Sequence, residues 1–362
     1  VKTLAAASLI AASALLAVSC SSGADTSTAQ GDTKTKSARP GTAPSAAEEA
    51  APAQKQPFVI AFGGDVHFEG SLRSRLGSPA TALGPIAATL RKADFAMVNL
   101  ETAITLGGVP APGKEFHFRA PATAFTALRK AGVDVVTEAN NHGMDFMEPG
   151  LADTLKAIKK SRFPVVGIGK NADAAYGAYR TTVKGNKIAV VGATQVLDDN
   201  LIPSWTATDG KGGLASAKVV PRMLQAVRDA RQGADVVIVY LHWGQELSAC
   251  PLPRQQELAN QLIGAGADIV VGSHAHVPLG GGFLKGRYVH YGLGNFVFAS
   301  ASGQTANSGV LMLKVEGRKV SKAVWKPARI AGGLPHLLSG SAAAAELKRW
   351  NGLRRCAGLS GR

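Results

Sequence analysis

Seven short runs that are apolar throughout and rich in β-branched residues recur along this chain, and five of them lead directly into a histidine, carboxylate or asparagine. The runs are 58–62, 95–100, 133–136, 164–168, 187–192, 234–241 and 268–272. Between them lie stretches with the apolar spacing of helices, clearest over 81–92, 122–131, 150–160, 217–232 and 254–264. Strands that are hydrophobic at every position are buried on both faces. Their alternation with helices predicts a layered α/β domain. Beyond Arg287 the pattern changes to strands only, with 310–315 and 320–330 forming a closing hairpin about Gly317-Arg318.

The polar residues follow the strands, where an open α/β sheet places its sites. The first run leads into Gly64-Asp65-Val66-His67, the second ends in Asn99-Leu100-Glu101, and the third leads into Glu138-Ala139-Asn140-Asn141-His142. The sixth ends in His242-Trp243-Gly244 and the seventh in Ser273-His274-Ala275-His276. Five of the eight histidines of the chain therefore fall at strand ends. Imidazole, carboxylate and amide oxygen without sulfur form a ligand set suited to Zn, Fe or Mn. Residues two apart on an extended segment share a face, so Asp-x-His and His-x-His can each direct both side chains to one ion. Asp65, His67, Glu101, Asn141, His242, His274 and His276 supply enough donors for two divalent ions with one bridging carboxylate. Such a pair, about 3.5–4 Å apart, clamps a phosphoryl or similar oxyanion and activates water. His142, beside Asn141 but not needed as a ligand, is placed to donate a proton to a leaving group, and Asp145 to orient it.

The remaining segments concern compartment and partners. Lys2 precedes an apolar, Ala-rich run over 4–18 that is short for a membrane span and reads as the core of an export signal. Cys20 follows Ala17, Val18 and Ser19, where a lipid-bearing cysteine would stand; an ordinary secretion signal is the alternative. Residues 21–56 are Ser, Thr, Ala, Pro, Gln and Lys with few large apolar side chains, the composition of a disordered tether. The expected organisation is therefore a signal over 1–20, a linker over 21–56, a folded domain over 57–330 and a basic C-terminal tail over 331–362. The location expected is the outer face of a bacterial cell membrane, with secretion as the alternative. Cys250 and Cys356 can then bridge and pin the C-terminal segment. The net charge is +15, and residues 311–362 hold eleven Lys/Arg against two Glu. Outside the cytoplasm such charge meets phospholipid headgroups, wall polymers or anionic capsules rather than nucleic acid.

The order Asp-x-His, bridging acid, Asn-His, His and Gly-x-His-x-His resembles the metallophosphoesterase superfamily. Its wording here resembles the CapA branch, the poly-γ-glutamate capsule biosynthesis proteins. Gly64-Asp65, Asn99-Leu100-Glu101, Asn140-Asn141-His142 with Asp145, His242-Trp243-Gly244 with Glu246, Gly272-Ser273-His274-Ala275-His276-Val277 and Gly292-Leu293-Gly294-Asn295-Phe296-Val297-Phe298 carry the likeness. The resemblance implies a four-layer α/β/β/α sandwich around two mixed sheets. It implies one ion on Asp65, His67 and His276, a second on Asn141, His242 and His274, and Glu101 bridging in place of the more usual Asp. The ligand set points to a metal-dependent hydrolase or transferase acting outside the membrane on a phosphoester or an amide of an envelope polymer, whereas the resemblance points to poly-γ-glutamate, through release, transfer or anchoring of the polymer. The alternative is a non-catalytic accessory that binds such an anionic polymer through its basic C-terminal part.

Overall fold

In the first sheet, alternate residues of each strand divide between two different cores. The computed structural model describes residues 54–361. Leu334–Leu337, Lys319–Ala331, Asn307–Glu316, Phe58–Val66, Phe95–Leu100, Val135–Thr137 and Val165–Val166 lie side by side in that order, and Asn295–Val297 joins the upper part of Phe58–Val66. A second sheet runs Gly281–Leu284, Arg287–His290, Ile269–His274, Val236–Trp243, Asn186–Thr194 and Tyr179–Val183. Parallel and antiparallel pairs occur in both. Phe58, Ile60 and Phe62 meet Val190, Ile238 and Tyr240 of the second sheet, while Ala61, Ala96 and Val98 face the outer helices. Period-two alternation on strands apolar at every position explains both cores. Thr123–Ala131 covers the outer face of the first sheet, and Val220–Arg231 with Pro253–Ala265 covers that of the second. The architecture is the expected mixed α/β sandwich with two mixed sheets.

Two local expectations are corrected. The helix expected over 81–92 is reduced to a 3-10 turn at Gly84–Ile86 and one α-turn at Ala87–Leu90. Gly84 at φ +65° and Pro85 confine its start, because proline has no N–H and disfavours helical backbone before it. The chain after Arg287 also contains a helix, Gly340–Gly352. Its Ala-rich first turns favour helix but bury almost nothing, so the apolar period there is weak. Trp350 anchors this helix: its indole N–H donates to the Leu279 carbonyl at 2.9 Å and its ring stacks on Trp325. Residues 331–361 thus continue the fold with a strand, this helix and a further turn at Arg354–Ala357. The expected signal over 1–20, Cys20 and most of the 21–56 linker lie outside the described residues. Among the described residues no helix is long and apolar enough to cross a membrane.

Cys250 and Cys356 form a disulfide, with Cα atoms 5.7 Å apart. It closes a loop of 106 residues between the segment after Val236–Trp243 and the chain's last turn. Cross-linking across so long a loop restricts the unfolded chain, a stabilisation of about 2–5 kcal/mol. Replacing both cysteines by serine is expected to lower the unfolding free energy by about 2–5 kcal/mol, with a lower denaturant midpoint and a larger m-value as the unfolded chain expands; an unaltered free energy would contradict a stabilising bridge.

Candidate metal centre

Parallel pairing aligns the carboxyl ends of the site-bearing strands. Asp65 pairs with Asn99 in the first sheet, while His242 pairs with Ser273 and Trp243 with His274 in the second. Gly64 allows the close approach behind Asp65, since a Cβ there would lie 1.8 Å from the Gly294 carbonyl oxygen. His274 and His276 have φ of +100° and +57°, a region that non-glycine residues rarely occupy. Backbone strain at two histidines of one site is held by surrounding contacts and marks functional placement.

Asp65 is fully buried; its Oδ1 accepts from Asn99 Nδ2 at 2.8 Å and its Oδ2 from the His274 backbone N–H at 3.1 Å. Asn140 Nδ2 donates in turn to Asn99 Oδ1 and to the Leu100 carbonyl. Among the described residues neither oxygen of Glu101 has a hydrogen-bond partner, although both are buried. His242 Nε2 lies 3.7 Å from Glu101 Oε1, and His242 Nδ1 lies 3.9 Å from Asp65 Oδ1. Asn141 Oδ1 is 2.8 Å from His242 Nε2. Donor atoms of Asp65, Glu101 and His242 converge in one group, and those of Glu246, His274 and His276 in another. The two adjoin: His276 Nδ1 is 4.0 Å from Asp65 Oδ2, and the rings of His242 and His274 are 4.8 Å apart.

His67 is not brought into either group. Its Nδ1 lies 3.1 Å from the Glu69 amide and its Nε2 3.2 Å from the Ala299 amide. Its ring stacks on Phe118 and meets the edge of Phe298. The strand Phe58–Val66 ends one residue before His67, so the two-residue alternation of an extended strand does not carry over from Asp65 to His67. Glu246, 60% exposed in its side chain, stands in the second group instead, 4.0 Å from His276 Nε2.

Electrostatics fit a cation better than the protein alone. Burial, reinforced by the Asp65 charge, pushes Glu101 well above the usual carboxylate range, and burial also raises Asp65. Burial lowers His274 to about 3, with the His276 charge adding, and drives His242 well below its ordinary value. Neutral imidazoles are the ligating form, and a divalent ion restores ionisation of buried carboxylates. The unpartnered Glu101 oxygens and the unpartnered Nδ1 of His274 are the buried polar atoms that an ion would satisfy.

His142 lines a cleft of about 380 Å³ together with Lys114, Phe118, Glu246, His276 and Phe298. Its Nδ1 is 2.5 Å from Asp145 Oδ2, its Nε2 is 3.9 Å from Glu101 Oε1, and its ring stacks on Phe118. Burial lowers His142 to about 4 against the opposing pull of Asp145. Asp145 also accepts from the Phe118 backbone N–H, and Lys114 Nζ donates to its other oxygen and to the Asn141 carbonyl. Sequence reasoning missed Lys114 and Phe118: both come from a Gly/Pro-rich loop with no periodic signal. Asn295, present in the expected motifs, holds His276 Nδ1 at 2.8 Å.

A two-sheet α/β fold whose strand ends assemble carboxylates, amides and imidazoles into adjoining donor groups defines a candidate metal-binding class of protein. The comparisons make it more particular. Residues 59–300 match the model of the bacterial capsule synthesis protein family PGA_cap, and the chain belongs to that family. A capsule biosynthesis protein CapA of Bacillus anthracis is 32% identical over 68% of this chain and 60% of its own length. A PGA biosynthesis protein CapA of Bacillus subtilis is 33% identical over 61% of this chain and 57% of its own length. The chain thus spans about 60% of the length of these curated relatives. Among solved structures, a phosphatase from Mycoplasma pneumoniae matches with a TM-score of 0.48 at 15% identity, over 81% of this chain and 98% of its own. A 5'-nucleotidase from Candida albicans matches with a TM-score of 0.45 at 10% identity, over 84% and 59%.

If the centre holds a cation through Glu101, Glu101→Gln leaves the melting temperature of the metal-free chain unchanged or higher, since no hydrogen bond is lost. The rise in melting temperature that a divalent metal produces, equivalent to a stabilisation of about 2.7 kcal/mol at a hundredfold excess over Kd, disappears. Thermal melts with and without Mn or Zn read both effects. A metal-dependent rise surviving in the variant would contradict the assignment.

Proposed function

We propose that this chain works outside the cytoplasm, lipid-anchored through Cys20, as a metal-dependent hydrolase or transferase in the synthesis or export of an anionic capsule or wall polymer. Poly-γ-glutamate is the polymer that the CapA resemblance favours. The single observation that carries the catalytic reading is the buried Glu101 carboxylate, unpartnered beside Asp65 and His242 and 3.9 Å from Nε2 of the cleft residue His142. Two divalent ions, Mn, Fe or Zn, held by Asp65, Glu101, Asn141, His242, His274 and His276, would polarise a phosphoryl or acyl oxygen and supply the attacking water. Glu246, which groups with His274 and His276, is a further donor available to the second ion.

The chain's own groups supply the rest. Asp145 fixes the orientation of His142 by holding Nδ1, and the ring, once protonated on both nitrogens by a proton taken up at Nε2, would give that Nε2 proton to the leaving group and return to the neutral Nδ1–H form. Phe118 and Phe298 line the approach, and Phe118 covers one face of the His142 ring. The Cys250–Cys356 disulfide supports an oxidising compartment, and the apolar run before Cys20 supports export.

A second reading, polymer binding without turnover, is favoured by the exposed Lys319, Lys322 and Arg329 of the strand Lys319–Ala331. His142→Ala separates the two. Under the catalytic reading it retains bound metal and loses about 10²–10⁴ in kcat on a model phosphodiester. Under the binding reading it changes nothing, while replacing Lys319, Lys322 and Arg329 by alanine weakens retention of poly-γ-glutamate more at low salt than at high salt.

A further inference from the structure

We infer that Lys114 is the positioning residue that locks the His142–Asp145 pair and the Asn141 backbone into one arrangement. The inference rests on the reading of His142 as the proton donor. Lys114 belongs to the segment between Ile104 and Arg119, which has no regular secondary structure and exposes Leu106, Val109 and Phe116. Its own side chain is only 7% exposed. The ammonium reaches inward and makes two contacts, with Asp145 Oδ1 and with the Asn141 carbonyl oxygen. The same ammonium lies over the Trp205 ring, 5.0 Å from Nζ to the centroid.

Those contacts fall on both sides of His142. Asn141 precedes it and offers its side-chain oxygen to His242, while Asp145 holds its Nδ1. The other Asp145 oxygen is thereby left to His142 and the Phe118 amide, and the Asp145 backbone carbonyl accepts from the Ala111 N–H at 2.8 Å. The loop is therefore fastened to Asp145 at Ala111, Lys114 and Phe118, and only the Lys114 contact is made by a side chain. A carboxylate with its charge balanced on one oxygen stays an acceptor for Nδ1–H on the other, which leaves Nε2 as the atom facing Glu101. Lys114 borders the cleft, but its ammonium is taken up by Asp145 and the Asn141 carbonyl, so it acts through His142 and Asn141. Supporting groups of this kind typically carry about ten- to hundredfold in activity.

The test uses the full chain and its variants Lys114→Met, Lys114→Arg and His142→Gln, metal-free and loaded with Zn, which is diamagnetic. Proton NMR should show a hydrogen-bonded imidazole N–H downfield of the amides, assigned by its loss in His142→Gln. In Lys114→Met that resonance is expected to vanish by exchange or to move upfield. With a model phosphodiester, kcat falls about ten- to hundredfold with KM and bound metal retained. Lys114→Arg recovers the resonance and most of kcat. The role is overturned if Lys114→Met leaves the resonance in place, if methionine and arginine impair the chain equally, or if the wild-type chain lacks the resonance. A wild-type chain with the resonance but no turnover instead defeats the catalytic reading, and the response of the resonance to Lys114→Met still decides the role of Lys114.

Discussion

Glu101 confronts the fold with a carboxylate at zero exposure that no donor satisfies. Burying an ionised group without a partner is among the most costly arrangements a protein can hold. The surroundings do not relieve it: Asp65 adds like charge, and the neighbouring imidazoles of His242 and His142 are themselves driven towards neutrality by burial. A cation at the junction of the two sheets answers the carboxylates and the neutral imidazoles together. The fold then makes physical sense as scaffolding. Both sheets bring parallel strand ends to that junction, and Gly64 permits the close packing that turns Asp65 towards it.

Around this core of charge the side chains divide their work. Amides do the aiming: Asn99 fixes Asp65, Asn140 fixes Asn99, Asn141 meets His242, and Asn295 meets His276. Aromatic rings do the walling, with Phe118 stacked between His67 and His142 and Phe298 set edge-on to His67. The positive φ of His274 and His276 shows that the last loop is bent to serve these contacts rather than its own backbone preference. The Cys250–Cys356 bridge ties the loop that carries Glu246 to the C-terminal turn, so a segment distant in sequence supports the rim of the cleft.

Much of this was legible before any coordinates. Runs apolar at every position could only be doubly covered strands, and the polar residues following them had to meet where parallel strands end. That logic located Asp65, Glu101, Asn141, His242, His274 and His276 in one region. It also offered His67, whose ring nitrogens face the Glu69 and Ala299 amides outside both donor groups; period-two reasoning assumes a continuing strand, and Phe58–Val66 ends one residue before it. It overlooked Lys114 because a loop rich in glycine and proline has no period, and the value of a lysine there depends on Asp145, thirty-one residues away. The helix Gly340–Gly352 was missed for the opposite reason: propensity without an apolar face leaves little pattern to read.

The most direct test of the central claim is crystallographic. Crystals of the full chain grown with Mn or Zn, with data collected on either side of the metal's absorption edge, would show anomalous peaks where ions bind. The account predicts peaks within about 2.0–2.3 Å of the donor atoms of Asp65, Glu101 and His242, with a second about 3.5–4 Å away towards His274 and His276. Absence of any peak at the Glu101 carboxylate in a metal-rich crystal, with both its oxygens still unpartnered, would contradict it.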